Sequence, residues 1–322
     1  MAQAEQRAAE GDLVAMYSLG YLYSEEGKSE ESVARGLDYL QRAARAGVVA
    51  AQYLLGLKYL HGRQLPRDER KAVKWLAAAA NQGSARALLV LSNLYGRGTG
   101  VERDLSTAKR LAQRAAELGE PMALQMVGLQ LISGVNLPED RERGIDYLKK
   151  AFRRGNAEAA YYLGREYLYG SHLERSPQNA LHWFEQAAKQ KHPLARLWLG
   201  ELYRRGIGTE VDVERGLALQ NETLADARPD IVNNFAWELA VNRRAELRDP
   251  ALALKVAEPV QALRNSYAQL DTLAAVYAAN ARYDDAIAFQ LRAIEKLPTD
   301  SGLADNFRAR LNLYKNHEPY IE

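Results

Sequence analysis

The sequence predicts an all-α fold, a right-handed α-solenoid of stacked antiparallel helix pairs, and three observations carry that reading. The 322-residue chain repeats itself every 36 residues for six rows, the repeated positions are spaced as on one face of a helix, and glycines recur where a helix would have to end. Alanine leads each row (Ala15, Ala51, Ala87, Ala123, Ala159, Ala195). Five positions on stands a small residue (Gly20, Gly56, Ser92, Gly128, Gly164, Gly200), and three further a bulky one (Tyr23, Tyr59, Tyr95, Leu131, Tyr167, Tyr203). A loop glycine closes this first helix, clearest at Gly62, Gly98, Gly134, Gly170 and Gly206.

The second half of each row reads as another helix. A small residue (Gly36, Ala72, Ala108, Gly144, Ala180, Gly216) precedes a bulky one (Tyr39, Trp75, Leu111, Tyr147, Trp183, Leu219) by three positions. Four later comes Ala43, Ala79, Ala115, Ala151, Ala187 or, in the last row, Thr223. Gly47, Gly83, Gly119 and Gly155 then stop the helix by turning the chain left-handed. Each row is thus a pair, A and B, too small to bury its own apolar faces, so stacking is obligatory. Glycine inside helix A costs about 1 kcal/mol against alanine. Its return row after row predicts a neighbour too close for a Cβ.

The run Ala51-Gln-Tyr-Leu-Leu-Gly-Leu-Lys-Tyr59, with Gly98-Thr-Gly-Val-Glu-Arg-Asp104 and Lys71-Ala-Val-Lys-Trp-Leu-Ala-Ala-Ala-Ala80, resembles Sel1-like repeats, with six copies over residues 12–226. The weakest row is 123–158, with Leu131 for tyrosine and Phe152 for alanine. The 36-residue register is read as ending near Thr223. Beyond it, Tyr267 to Asp300 resembles a tetratricopeptide repeat through Leu273, Ala274, Tyr277, Tyr283, Ala286, Ala293 and Pro298, and departs from that family at Gln290. Asn233–Ala240 and Asp249–Ala257 read as a divergent preceding pair whose loop, 241–248, is lengthened. The expected organisation is therefore an N-terminal cap or partial repeat at 1–11, six Sel1-like repeats at 12–226, two tetratricopeptide-like repeats at 227–300, and a capping helix with a frayed tail at 301–322. Gly11 occupies the helix-stopping slot 36 residues before Gly47, so residues 2–10 look like the back half of a B helix. That start fits either a true cap or a chain from which an upstream targeting segment or domain has been removed.

Composition narrows the chemistry. With 47% hydrophobic residues the chain can build a core, and no run of about 18 apolar residues exists to form a membrane span. The formal charge of +2 is spread evenly, without the basic block that recruits nucleic acid. Zero cysteines exclude disulfides, thiolate metal sites and cysteine nucleophiles. His61, His172, His182, His192 and His317 show no metal-binding spacing, and there is no nucleophile elbow or phosphate-binding loop. Gly96-Arg-Gly-Thr-Gly-Val101 looks like a phosphate cradle but follows a helix instead of a strand. No catalytic residue, cofactor or metal is expected.

A partner would sit on the stripe that packing leaves free. At about 100° per residue from the repeat alanine, offsets of 2, 6, 9 and 10 fall opposite the structural positions. In a solenoid these stripes line a concave groove. The candidate groove residues are Tyr17, Tyr21, Tyr53, Leu57, Asn93, Arg97, Tyr161, Arg165, Glu201 and Arg204, continued by Asn233, Trp237 and Asp271. Guanidinium groups there would hold carboxylates, and Asn233 with Trp237 would offer a backbone hydrogen bond and an apolar anchor, with packing against the 241–248 loop as the rival reading. The Sel1-like resemblance implies a non-catalytic scaffold or adaptor for proteins or peptides in a bacterial envelope, exopolysaccharide or signalling pathway. The alternative is a carbohydrate- or peptidoglycan-associated binding protein whose groove tyrosines stack on sugars. Nucleic acid is not among the expected partners. The compartment leans to the periplasm or export, with the cytoplasm as the alternative.

Overall fold

In a computed structural model of the chain, residues 2–26, 29–135, 138–258, 266–298 and 301–322 are described. Every regular element among them is helical, and no helix is long and apolar enough to cross a membrane. They gather into two compact units, residues 1–159 and 160–322. The expected end of the last tetratricopeptide-like repeat at Asp300 lies outside the described residues.

The first unit opens with α1 (Ala2–Ala9) and continues in A–B pairs: α2 (Leu13–Glu26) with α3 (Glu30–Arg45), α4 (Val49–His61) with α5 (Glu69–Asn81), α6 (Ala85–Arg97) with α7 (Leu105–Glu117), and α8 (Pro121–Ser133) with α9 (Arg141–Arg153). Helix α1 buries Ala8 beside Ala15 and Met16. Its Glu5 accepts a 2.7 Å hydrogen bond from the Tyr23 hydroxyl, which ties the opening segment to the first full pair.

Two local devices fix each pair. The B helices start on a side-chain cap: Asp68, Asp104 and Asp140 accept from backbone N–H groups of Lys71, Ser106 with Thr107, and Arg143. The cap residue's own N–H also donates back to the carbonyl at the repeat-tyrosine slot, Asp68 to Tyr59, Asp104 to Tyr95 and Asp140 to Leu131, at 2.9–3.0 Å. This main-chain clasp closes the A–B loop whatever side chain occupies the slot, which is why row four tolerates Leu131.

The glycines of helix A face the B helix of their own row. A Cβ on Gly20 would lie 2.8 Å from the Leu40 nitrogen, one on Gly56 2.7 Å from Leu76 Cγ, and one on Gly128 2.9 Å from the Gly144 carbonyl oxygen. Where serine replaces glycine, the Ser92 hydroxyl donates to the Ala108 carbonyl at 2.7 Å and so uses the same close approach. The second loop glycine has another purpose: Gly100, at φ +71°, would place a Cβ 2.6 Å from the Glu69 carbonyl carbon at the start of α5. The loop that looked like a phosphate cradle is thus shaped to seat the preceding pair.

One register detail differs from the sequence reading. Tyr39, Trp75, Trp183 and Leu219 are only half-buried, and the residue after each (Leu40, Leu76, Phe184, Gln220) fills the core. Those core residues lie twenty positions after the A-helix glycine, so the closest crossing selects them. The bulky residue beside each covers the outer edge.

The second unit begins within α10 (Ala157–Tyr169), at Ala160, and runs through α11 (Pro177–Lys189), α12 (Pro193–Arg205), α13 (Val213–Ala225), α14 (Pro229–Val241), a 3-10 turn (Ala245–Leu247), α15 (Pro250–Ala257), α16 (Tyr267–Ala279), α17 (Tyr283–Glu295) and α18 (Ala304–Lys315). Its A–B crossing is again tight, a Cβ on Gly164 falling 2.6 Å from the Phe184 ring. Helices α10, α12 and α14 start exactly one row apart at 157, 193 and 229, so the geometric register continues one row past the point where the residue pattern fades. The clasp continues too: the Asp249 N–H donates to the Leu239 carbonyl at 3.0 Å, with one residue more in the loop than in the earlier rows. The register was hidden because Ile231 and Ala236 stand where alanine and glycine stood before.

Helix α16 is buried almost all round, from Leu270 to Ala278. Gln290 of α17 is fully buried and donates to Asp271 Oδ1 at 2.8 Å and the Phe307 carbonyl at 3.2 Å, which accounts for an amide where an aromatic was expected. Helix α18 buries Phe307, Leu311 and Tyr314 and leaves its polar residues outward. The residues after it are not frayed: Tyr320 lies against Trp237 with ring centroids 5.9 Å apart, and the Glu322 N–H donates to the Val241 carbonyl at 2.8 Å.

Candidate partner-binding face

In the first unit the free stripe is open. Tyr21, Asn93 and Arg97 are exposed, and Tyr17, Tyr53 and Leu57 are half-buried with one side to solvent. Each sits at the predicted offset because the alanine and glycine of its helix face the neighbouring B helices. Between α4 and α6 lies a cleft of about 440 Å3 with Leu57, Leu60 and Val90 as its apolar floor and His61, Asn93 and Arg97 at its polar edge. No carboxylate pairs with Arg97 among the described residues. Burial raises the Tyr53 phenol pKa, with Arg86 of α6 near enough to oppose the shift and Glu120 to add to it. The cleft offers apolar surface, the His61 imidazole, the Asn93 amide and two guanidiniums, of which Arg67 is paired with Glu69 and Arg97 has no carboxylate partner among the described residues.

The same stripe in the second unit is engaged by the chain's own side chains. Glu238 of α14 reaches α10 and α12, where it accepts from the Tyr161 hydroxyl at 3.3 Å, the Tyr169 hydroxyl at 3.2 Å and the Trp198 indole, and pairs with Arg165 at 3.3 Å. Tyr161 is buried, so it is a wall of this network and not an exposed groove residue. Burial alone would weaken the Arg165 charge, and Glu238 with the two tyrosines more than offsets it, holding the guanidinium firmly charged. Burial also holds the Tyr169 phenol well above its ordinary range, with Glu238 adding to the effect.

Glu201 is likewise fully buried instead of facing a groove. It accepts from Arg204 at 2.6 Å, Gln220 at 3.3 Å and Arg205 at 3.4 Å. Arg204 is thereby committed to Glu201, with Asp249 a further 3.8 Å partner. Asp271 is buried as well: Arg310 of α18 grips both its oxygens at 2.9 Å, and burial pushes its carboxyl above the usual range against the pull of Arg310 and Gln290. Glu201 and Arg204 satisfy each other within α12, one turn apart, with Gln220 and Asp249 added from later elements, whereas Asp271 is taken up by Arg310 of α18, 39 positions on. Asn233 remains half-buried on a separate surface cavity of about 690 Å3 shared with Asp230 and Gln269. Trp237 is half-buried between Arg310, whose guanidinium lies 5.6 Å from its ring centre, and Tyr320. Glu238, Arg310 and Tyr320 are the residues sequence reasoning missed, and the one available signal was Glu238 standing directly beside Trp237.

Stacked helix pairs with a clasped loop and a free A-helix face define a helical-repeat protein of the kind that commonly scaffolds protein interactions. Sel1 repeats are recognised at residues 13–48, 49–84, 85–120, 121–156, 157–192 and 193–219, and the chain belongs to the Sel1 repeat family. Among solved structures it resembles c5321, a protective antigen of uropathogenic Escherichia coli strains with an SLR fold, at 25% identity and a TM-score of 0.66, covering 98% of this chain and 68% of that one. A Sel1 repeat protein from Oxalobacter formigenes shares 29% identity at a TM-score of 0.60, covering 68% of this chain and 90% of that one. Yeast Tom70, at 14% identity and a TM-score of 0.50 over 95% of this chain and 64% of that one, is similar in fold alone. Comparison with curated proteins finds no match.

Proposed function

We propose that the protein is a non-catalytic adaptor that docks segments of partner proteins on the A-helix face of residues 1–159. One observation carries this reading: the cleft between α4 and α6 keeps an apolar floor and an unpaired Arg97 open. Isolated exposed apolar residues need no explanation, but Tyr17, Tyr21, Tyr53, Leu57 and Leu60 recur on one stripe of successive A helices. A peptide laid across them would bury the apolar strip and place a carboxylate on Arg97, a pairing suited to a planar guanidinium. The Sel1 family membership agrees with a scaffold role.

The test is co-purification from the native host after cross-linking. A specific partner captured by the intact chain should be lost on Arg97→Glu and on Leu57→Arg while circular dichroism stays helical. Retention of the same partner by both variants refutes the assignment of this face.

A further inference from the structure

The segment 318–322 has no regular secondary structure and lies against α14, and its contacts read like those of a bound peptide. The Tyr320 ring lies 5.9 Å from that of Trp237. The Arg310 guanidinium stands 5.6 Å from the Trp237 ring and 5.3 Å from the Tyr320 ring, and its bidentate pair with Asp271 fixes it in place. Two residues on, the Glu322 N–H donates to the Val241 carbonyl, which α14 leaves free at its end. Glu322 then borders a cavity of about 250 Å3 whose wall includes Arg165, Ser171 and Arg243. Arg165 is paired with Glu238, whereas Arg243 binds only the Ser171 hydroxyl, at 3.2 Å, and has no carboxylate partner among the described residues.

The seat is more elaborate than the segment's own hold on it. Of the five residues only Tyr320 is half-buried, and Glu318, Pro319, Ile321 and Glu322 are exposed. The segment is held by the Tyr320 ring against Trp237 and Arg310 and by two backbone hydrogen bonds, Glu318 N–H to the Leu313 carbonyl and Glu322 N–H to the Val241 carbonyl, a small exposed hold that leaves it displaceable.

Building on the reading of the A-helix faces as peptide-docking surfaces, we infer that this seat (Trp237, Val241 and Arg310, with Arg243 at its far end) recognises an extended peptide carrying an aromatic residue two positions before a carboxylate. The chain's own Tyr320-Ile-Glu322 holds the site until such a peptide displaces it. The tethered segment competes at high effective concentration, so the apparent affinity for a free peptide is reduced by the fraction of molecules whose seat is open.

The probe is a fluorescein-labelled peptide of sequence Glu-Pro-Tyr-Ile-Glu, titrated against the intact 322-residue chain by anisotropy. It should bind the wild type weakly and Tyr320→Ser about tenfold more tightly, as the open fraction rises. Adding Trp237→Ala to Tyr320→Ser should abolish that gain. Adding Arg243→Glu at an exposed position should reduce it, and so should replacing the peptide's tyrosine by alanine. Equal binding by wild type and Tyr320→Ser, or binding indifferent to both Trp237→Ala and Arg243→Glu, overturns the inference. A wild-type dimer that Tyr320→Ser dissolves would also overturn it, by making a second copy's segment the occupant. The probe reports on residues 160–322 alone, so its failure leaves partner capture through Leu57 and Arg97 standing, and loss of that capture reading leaves the probe's result intact.

Discussion

Two chemically identical substitutions in residues 1–159, Gly144→Ala and Gly96→Ala, should move stability in opposite directions. Both sit in helices, where alanine is favoured over glycine by about 0.5–1 kcal/mol. At Gly96 the nearest atom to a new Cβ is Ala108 Cβ at 3.9 Å, an ordinary contact, so the propensity gain is kept. At Gly144 the Cβ would fall 2.6 Å from Ile132 Cγ1 and 2.7 Å from the Gly128 carbonyl oxygen. Ile132 is 1% exposed and the carbonyl belongs to the α8 backbone, so neither can give way without separating α8 from α9 by roughly half an ångström or more. Overpacking of this kind costs about 1–3 kcal/mol. With a backbone atom as the obstacle the upper part of that range applies, and the net loss is about 2 kcal/mol. Far-UV circular dichroism melts should show Gly144→Ala lower than wild type by roughly 4–8 °C and Gly96→Ala higher by about 1–4 °C. A Gly144→Ala chain that melts at or above wild type would refute the claim that close helix approach explains the repeat glycines.

Other expectations follow from the buried network and the caps. Glu238→Ala removes the acceptor for Tyr161, Tyr169 and Trp198 and strips Arg165 of its partner, so it should destabilise by about 3–5 kcal/mol, against about 1–2 kcal/mol for Glu238→Gln, which keeps one acceptor oxygen. Equal urea midpoints for the two variants would show that the charge and its hydrogen bonds do not hold this face. The Asp68 and Asp104 carboxyls are held below their ordinary 3.8, each first by a backbone hydrogen bond, from Lys71 and Thr107 respectively. Their folded-state values are depressed, so their stabilisation is present above the unfolded-state pKa and is lost as pH falls through the lowered values. The double variant Asp68→Asn/Asp104→Asn, which still caps but does not titrate, should flatten the acid limb of a stability-against-pH curve. An unchanged slope would contradict the cap assignment.

The helix pairs were legible because packing repeats: the slots of Ala51, Gly56 and Tyr59 recur wherever the same crossing recurs. The stripe opposite them was legible for the same reason, and Tyr21, Asn93 and Arg97 do face outward. Glu201 with Arg204 was a local pair at i,i+3 that the groove reading passed over, and the other partners missed lie far along the chain. Glu238 meets Tyr161 across 77 positions, and Arg310 meets Asp271 across 39, so no local spacing announces either pair. At the B helix bulk is a poor guide to burial: Leu111 and Tyr147 are buried, and Trp75 and Trp183 are only half-buried. Helix crossing buries the neighbour that lies against the glycine, and a large aromatic can cover an edge without entering it. Past Thr223 the letters changed while the spacing held, with Ile231 and Ala236 in the slots of alanine and glycine.

The loop staple made by main-chain atoms separates the chain's periodicity from its spelling. In five rows the cap N–H and the carbonyl it joins are nine positions apart, and at Leu239 and Asp249 they are ten, so the staple tolerates one added residue without releasing either helix. A protein engineer lengthening or shortening this array could therefore splice whole pairs at the A-helix starts, such as Pro193 or Pro229, and rewrite nearly every solvent-facing letter between them. The units would still index against one another, provided that backbone staple and the glycine-sized gap at each crossing are carried over.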